Sequence, residues 1–396
     1  MSFALFAWVF TQQQLMVDKY LSPYSGAENL LTVEKFLLYQ TQRLPQNKGK
    51  APKILRRFTE NVLVWFPLNF TSTVVQHEIF GHGFRAREFG DKKIKVSKYA
   101  IRLPPPYGRG GGSTQFHISD ISRISPSEML AMDIAGIEAT TILARSLEMK
   151  WLHENAIYPQ FSTLYFLAKH DSTLYIAFAS QHSHHHDSND IQSYVSIYNA
   201  THVAPISVNQ LQNLSYLNFL DPMTFYSIAS LFTYIYSGKT FPIHSIPLGS
   251  TKHLPAFHIS LSPFGVDYVI ENFMTFTDKP VYFYYKWNAN QPKIYGLGIE
   301  CPQLFRLNKL FVGLKFDGFF QPHYFPKMLI YYTNRIFDFE QRRLGMSSSC
   351  LLTMVLNQKP SQISLAAEIG AKMKGYVPGQ TLNSSLIVRG GLSLRF

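Results

Sequence analysis

From about residue 252 to the end, the chain alternates apolar and polar residues with a period of two, and helices cannot use such a pattern. In Ile363 to Gly375 one face carries Ile363, Leu365, Ala367, Ile369, Ala371 and Met373, and the other Ser364, Glu368, Lys372 and Lys374. In Leu386 to Phe396 the apolar positions are Leu386, Val388, Leu392, Leu394 and Phe396, with Arg389, Ser393 and Arg395 opposite. Leu310 to Phe320 repeats the pattern, and Val281 to Trp287 is aromatic on both faces. The segment divides into roughly eight strands of an antiparallel sheet whose two faces differ in chemistry.

The preceding half reads differently. From about 27 to 245 the texture is mainly helical, and Pro and Gly break both patterns in Phe241 to Leu254. Asn61 to Gln76 carries no charge and runs into His77. Ser125, Pro126 and Glu128 form a helix start with an early proline and an acidic first turn, so Glu128 answers the helix dipole. Further helices are expected over Phe161 to Ser180 and Met223 to Ser237. The first is interrupted by Lys169, His170 and Asp171 and the second is short, so neither reads as a spanning helix. Lys93 to Leu103 reads as an exposed strand followed by a Pro/Gly loop. The predicted fold is α+β: an N-terminal apolar segment (1–26), a mainly helical domain (27–245) and an antiparallel sheet or barrel (252–396). Met1 to Phe10 is apolar but lacks the basic start and cleavage pattern of an export signal. Cys301 and Cys350 lie far apart in sequence and far from every histidine, which is neither a metal pair nor a disulfide framework.

Each predicted strand is close to the roughly 9–11 residues that cross a bilayer at a barrel tilt. The ending LIVRGGLSLRF, with its terminal Phe396, resembles the closing strand of bacterial outer-membrane β-barrels, which implies a bacterial outer-membrane location. Composition agrees with a lipid partner: aromatics make up 15 % of residues and charged residues only 16 %, against about 25 % in soluble domains. The net charge of +12 suits an anionic membrane surface, and no nucleic-acid-binding motif organises the scattered cations.

The chemistry concentrates in His77-Glu78-Ile79-Phe80-Gly81-His82. Hydrolysing an amide near neutral pH needs an activated water, and Zn²⁺ provides one by lowering its pKa to about 7. A catalytic zinc takes three protein ligands and keeps one open position. His77 and His82 are the expected ligands, and Glu78 is the expected base for the water. The histidines are five apart, about 140° around a regular helix, so they would point away from each other. A π-bulge would bring them together, and Gly81 is where the helix deforms most easily.

The segment HEIFGH resembles the HExxGH signature of the dipeptidyl-peptidase III family of zinc exopeptidases. That likeness implies zinc on His77 and His82, Glu78 as general base and a glutamate on a later helix as third ligand. It covers about six residues, and that family's second motif, a paired glutamate within EExxA(D/E), is not present in this chain. The uncharged run before His77 also resembles intramembrane site-2 proteases, whose histidines are four apart.

The expected third ligand is Glu138, an acid in a run of small and apolar residues (Asp133 to Ala139) that lets two helices approach closely. A buried carboxylate there needs a cation. Asp133 is the alternative, as a ligand or as an outer-shell acceptor that orients a ligand histidine. His117 is a candidate for an oxyanion or substrate contact, Arg85 and Arg87 for surface charges or a substrate carboxylate, and the strand before the Pro/Gly loop for pairing with an extended peptide. The tract His182, His184, His185, His186 and Asp187 reads as a solvated loop. The sequence therefore predicts a membrane-associated zinc metallopeptidase acting on peptides. A non-enzymatic outer-membrane barrel with a helical plug, and a structural zinc protein, are the competing classes.

Overall fold

The computed structural model describes residues 13–42, 49–90, 94–181, 189–276, 279–291, 293–322, 342–357 and 363–394. Strand β1 (Gln13–Asp18) is followed by the hairpin β2 (Ile94–Ile101) and β3 (Gly112–Ile118), and by a minimal pair, β4 (Ala156–Ile157) with β5 (Phe241–Pro242). The alternating segment then gives β6 (Ile246–Leu248), β7 (Thr251–Ser262), β8 (Gly265–Phe276), β9 (Lys279–Asn288) and β10 (Tyr295–Leu307). It continues with β11 (Leu310–Pro322), β12 (Arg342–Val355), β13 (Ile363–Lys372) and β14 (Ser385–Leu394). Ten strands form one antiparallel sheet in the order β1-β14-β13-β12-β11-β10-β9-β8-β7-β6. Eight of them, β7 to β14, fall where the alternation places strands. The ninth and tenth do not: β6 is three residues long, and β1 comes from the segment expected to stand apart at the N-terminus. Cys301 on β10 and Cys350 on β12 are both free thiols.

The faces of this sheet are inverted relative to an ordinary half-buried sheet. Leu297, Ile299, Leu365, Ile369 and Leu386 are exposed, Leu386 to 79 %. Their neighbours on the other face, among them Asp267, Glu271, Lys286, Asp317, Glu368 and Arg389, are buried. Buried charges are costly unless paired or hydrogen-bonded, and these are: Asp317, for one, accepts from Tyr284 Oη and Gln380 Nε2. Lys286 bonds Asp267 at 2.8 Å, and Arg389 bonds Glu368. The apolar face of the alternation is thus the outer one, and the polar face is covered by helices.

Those helices begin with α1 (Pro23–Gln42). A long helical rod follows: α2 (Lys50–Glu60), a π-helical stretch Asn61–Trp65, α3 (Phe66–Val75), a second π-helical stretch Gln76–His82, and α4 (Gly83–Glu88). Pro67 has no N–H to give the carbonyl of Leu63 four residues back, and Tyr107 Oη donates to that carbonyl instead, at 2.8 Å. Then come α5 (Pro126–Asp133) and α6 (Ala135–Glu154). The capping box of Ser125 and Glu128 starts α5 as its sequence indicates, but the expected continuous helix breaks at Ile134. The remaining helices are α7 (Ser162–Gln181), α8 (Asp190–Thr201), α9 (Val208–Ser215) and α10 (Pro222–Ser237). Among the described residues, no helix is long and apolar enough to cross a membrane alone.

Helices and sheet share their cores. One cluster joins Leu147 and Trp151 of α6 to Leu254, Phe273 and Tyr282 of the sheet, and a second joins Ile137 and Tyr194 to Ile259, Leu261 and Tyr376. The boundary near residue 250 therefore separates two kinds of secondary structure and does not separate two cores.

Candidate metal centre

The site lies in the second π-helical stretch, where residues five apart stack because backbone bonds run from i to i+5. The N–H of Gly83 bonds the carbonyl of Glu78, which is one such bond. His77 and His82 accordingly point the same way, with Nε2 atoms 3.2 Å apart. This arrangement needs α6 very close by. A Cβ at Gly81 would meet the backbone of Ala135 and Gly136, and one at Gly136 would overlap the ring of His77. The run of small residues does bring two helices into backbone contact at the motif.

The outer nitrogen of each ring is fixed. His82 Nδ1 lies 2.9 Å from the carbonyl of Met132, which can only accept, so this nitrogen carries the proton. His77 Nδ1 donates to Asp171 Oδ2 at 2.8 Å, and that carboxylate also accepts from Thr140 Oγ1 at 2.9 Å. Both Nε2 atoms are then lone pairs facing each other. Asp190 Oδ2 adds a third donor atom, 3.1 Å from His82 Nε2, and receives a bond from Tyr175 Oη at 3.1 Å. The three donor atoms lie within 4.8 Å of one another. Three lone pairs this close repel unless a proton or a metal ion sits among them. The protein shows the proton's side of that competition: burial works against a charged His82, yet Asp190 outweighs it and the ring's pKa rises to about 9. His77 is likewise raised: burial opposes its charge, and Asp171 prevails. Asp190 is lowered although burial pushes it upward, because His82 holds its ionised form.

The donor set also fits a divalent ion by size. Ligands at about 2.0–2.1 Å in a tetrahedron stand about 3.3 Å from one another. The separations of 3.2 and 3.1 Å match that edge. Glu78 is buried beside the ligands, and its Oε2 accepts from Thr114 Oγ1 of β3 at 2.6 Å.

The other expected residues lie elsewhere. Glu138 is not the third ligand in this arrangement, because its two oxygens are taken by Arg85 Nη2 at 2.8 and 3.0 Å, with Tyr376 Oη at 3.0 Å and the N–H of Gly379 also on it. Gly136 touches His77, and a residue two further along a helix points about 200° away. Arg85, expected at the surface, is fully buried and also bonds Glu88 at 2.8 Å. Arg87 is half-buried and donates to the carbonyls of Tyr20 and Ile79. Asp133 is not among the three donor atoms. Burial and then the Asp190 charge push it up to about 8, and Ser193 is its hydrogen-bond partner. His117 is exposed on the face of β3 opposite Thr114 and Phe116, which point at Glu78 and His82, so an oxyanion role finds no support in its position. The tract 182–188 lies outside the described residues.

Asp190 and Asp171 went unselected in the sequence reading. Asp190 sits in the first turn of α8 after the cap Asn189, where acids are common. Asp171 was visible as a charge interrupting an apolar helix, the same signal that singled out Glu138. No protein-family model, no curated protein and no solved structure matches the chain.

Proposed function

We propose that this chain is a membrane-embedded metallopeptidase that binds one zinc ion through His77, His82 and Asp190 and hydrolyses peptide bonds. The observation that carries the reading is the convergence of two imidazole lone pairs and a carboxylate oxygen beside a buried glutamate. Zinc held there supplies Lewis acidity that brings the pKa of a water near neutrality. Glu78, next to His77 in the chain, would be the base that takes a proton from the attacking water and passes it to the leaving amine. Thr114 fixes one oxygen of Glu78, and Asp171 and Met132 hold both rings with Nε2 inward. Such outer partners orient ligands and raise their basicity. Strand β3, paired on one side with β2, runs past Glu78 and His82 and offers a backbone edge to an extended peptide.

The membrane part of the reading rests on the inverted sheet. Apolar side chains outside and charged ones inside are the pattern of a transmembrane barrel wall, and β7 to β14 are long enough for it. The location favoured is a bacterial outer membrane, through the likeness of the final strand to barrel-closing strands.

Metal analysis of the detergent-purified chain, with turnover of a mixed peptide library, tests this. The expected result is one zinc per chain, lost in His82→Ala, and activity abolished in Glu78→Gln with zinc retained. Metal-free protein, or Glu78→Gln with undiminished turnover, overturns it.

A further inference from the structure

An antiparallel sheet cannot end in lipid, because each edge strand leaves a row of N–H and C=O groups without partners. Among the described residues β1 and the β6–β7 end form the two edges of this sheet, and no pairing joins them. At both ends of the sheet, side chains from the helical half supply some of the missing partners. On β1, the side-chain amide of Asn29 in α1 makes both bonds a neighbouring strand would make. Its Oδ1 accepts from Met16 N at 2.6 Å and its Nδ2 donates to Met16 O at 2.9 Å. One turn on, Thr32 Oγ1 donates to Gln14 O at 3.0 Å. At the other edge, Asn218 Oδ1, in the short 3-10 turn Tyr216–Leu220 that leads into α10, accepts from Ile259 N of β7 at 2.8 Å.

The helices next to these edges expose apolar side chains, as the outer face of the sheet does. Next to exposed Leu15 and Val17 of β1, helix α1 exposes Val33 and Phe36. Beyond β7, helix α10 exposes Phe225, Ile228 and Phe232 as one stripe, ending in Tyr236. Sixteen residues of helix span about 24 Å, close to the roughly 25 Å height of the apolar band on an outer-membrane barrel. The end of that stripe is cationic. Arg57 of α2 donates to the carbonyls of Ile235 and Tyr236, and α2 carries four cations against one acid in KAPKILRRFTE. An apolar stripe with a tyrosine and a basic cluster at one end matches the acyl chains, interface and anionic headgroups of a membrane in turn.

We infer that α1 and α10 complete the wall that the ten strands leave open, so that lipid contacts a mixed wall of strands and helices, with α2 at the headgroup level. The inference rests on the membrane reading above and goes beyond it, since a membrane sheet closed by further strands would leave both helices in water.

The test uses the full chain with Cys301→Ser and Cys350→Ser in vesicles of phosphatidylcholine and phosphatidylglycerol. Nitroxide labels are placed singly through Phe36→Cys, Phe232→Cys and, as a sheet reference, Val388→Cys. All three side chains are exposed, so the core is left intact. The expected result is that each label collides several-fold more often with oxygen than with a water-soluble nickel chelate. If 388 behaves so but 36 and 232 favour the chelate, the helices lie outside the bilayer; the inference fails and the membrane reading stands. If all three favour the chelate, both fail. If 36 and 232 are shielded from both reagents while 388 meets oxygen, a protein partner covers the helices and the inference is again overturned.

Discussion

Exchanging the roles of two acids gives the sharpest test of the centre, because the sequence points to Glu138 and the structure to Asp190. In Glu138→Ala, Arg85 keeps only Glu88 and the carbonyl of Gln380, each at 2.8 Å, while its guanidinium remains at 0 % exposure. Removing one partner of a buried pair costs about 3–5 kcal/mol, and the surviving bonds to Glu88 and Gln380 place this case near the lower end, about 3 kcal/mol. The orphaned hydroxyl of Tyr376 and N–H of Gly379 add about 1 kcal/mol each where no water reaches them. Glu138→Ala is therefore expected to lower the denaturation midpoint by several degrees while the folded fraction still carries one metal ion. Asp190→Ala has the opposite signature. Its side chain is 32 % exposed, so the midpoint of the metal-free protein should fall less than in Glu138→Ala, through the lost partner of His82 and Tyr175. Metal affinity should fall by at least the roughly 100-fold that losing even an outer-shell partner can cost. Thermal denaturation of apo and metal-loaded protein, with a competitive chelator titration, reads both quantities. A Glu138→Ala protein that loses metal at an unchanged midpoint, beside an Asp190→Ala protein that keeps it, would refute the assignment of the third donor.

Three more outcomes follow from particular contacts. Asp171→Ala removes the acceptor on His77 Nδ1, so metal affinity should drop about 10–100-fold in the same chelator titration. Gly136→Ala sets two effects against each other: alanine favours a helix interior by about 1 kcal/mol, but its Cβ overlaps the His77 ring. Metal binding should be lost with a midpoint shift inside the roughly 1–3 kcal/mol of overpacking, and a fully loaded variant would show that the helices can part without disturbing the site. Tyr107→Phe leaves the Leu63 carbonyl without its donor and should cost about 1 kcal/mol in denaturant unfolding; no measurable change would mean that water serves there equally well.

The sequence displayed most clearly those features that are written locally. Period-two alternation located β7 to β14, and Ser125-Pro126-Ser127-Glu128 located the start of α5, because both signals lie within the element they specify. The π-helical turn belongs to the same kind, since two histidines five apart can converge on one face only with such a turn. Strand β1 was hidden for the opposite reason. Gln13 to Asp18 is six residues long, and what makes it a strand is β14, more than 370 residues away. Asp190 and Asp171 were hidden likewise, reaching the histidines from α8 and α7 through packing that no local pattern announces.

The choice of Glu138 shows where a sound rule lacks a term. A lone acid in an apolar helix does demand a cation, and Glu138 has one. The cation is Arg85, three residues past His82 on the same rod, so the motif helix supplies both the two converging histidines and a buried guanidinium one turn further on. That ion pair continues through Gly379 and Gln380 into the loop between β13 and β14, and ties the ligand helix to the inner, charged face of the sheet. The same inversion that turns apolar residues outward thus gives the helical half its charged partners. A sheet that holds its charges on the covered face draws countercharges from the helices that cover it. Lys169 is buried on Glu271 of β8 for that reason, whereas Glu138 answers Arg85 within the helical half, so an acid chosen by burial alone is as apt to be matching a buried cation as binding a metal.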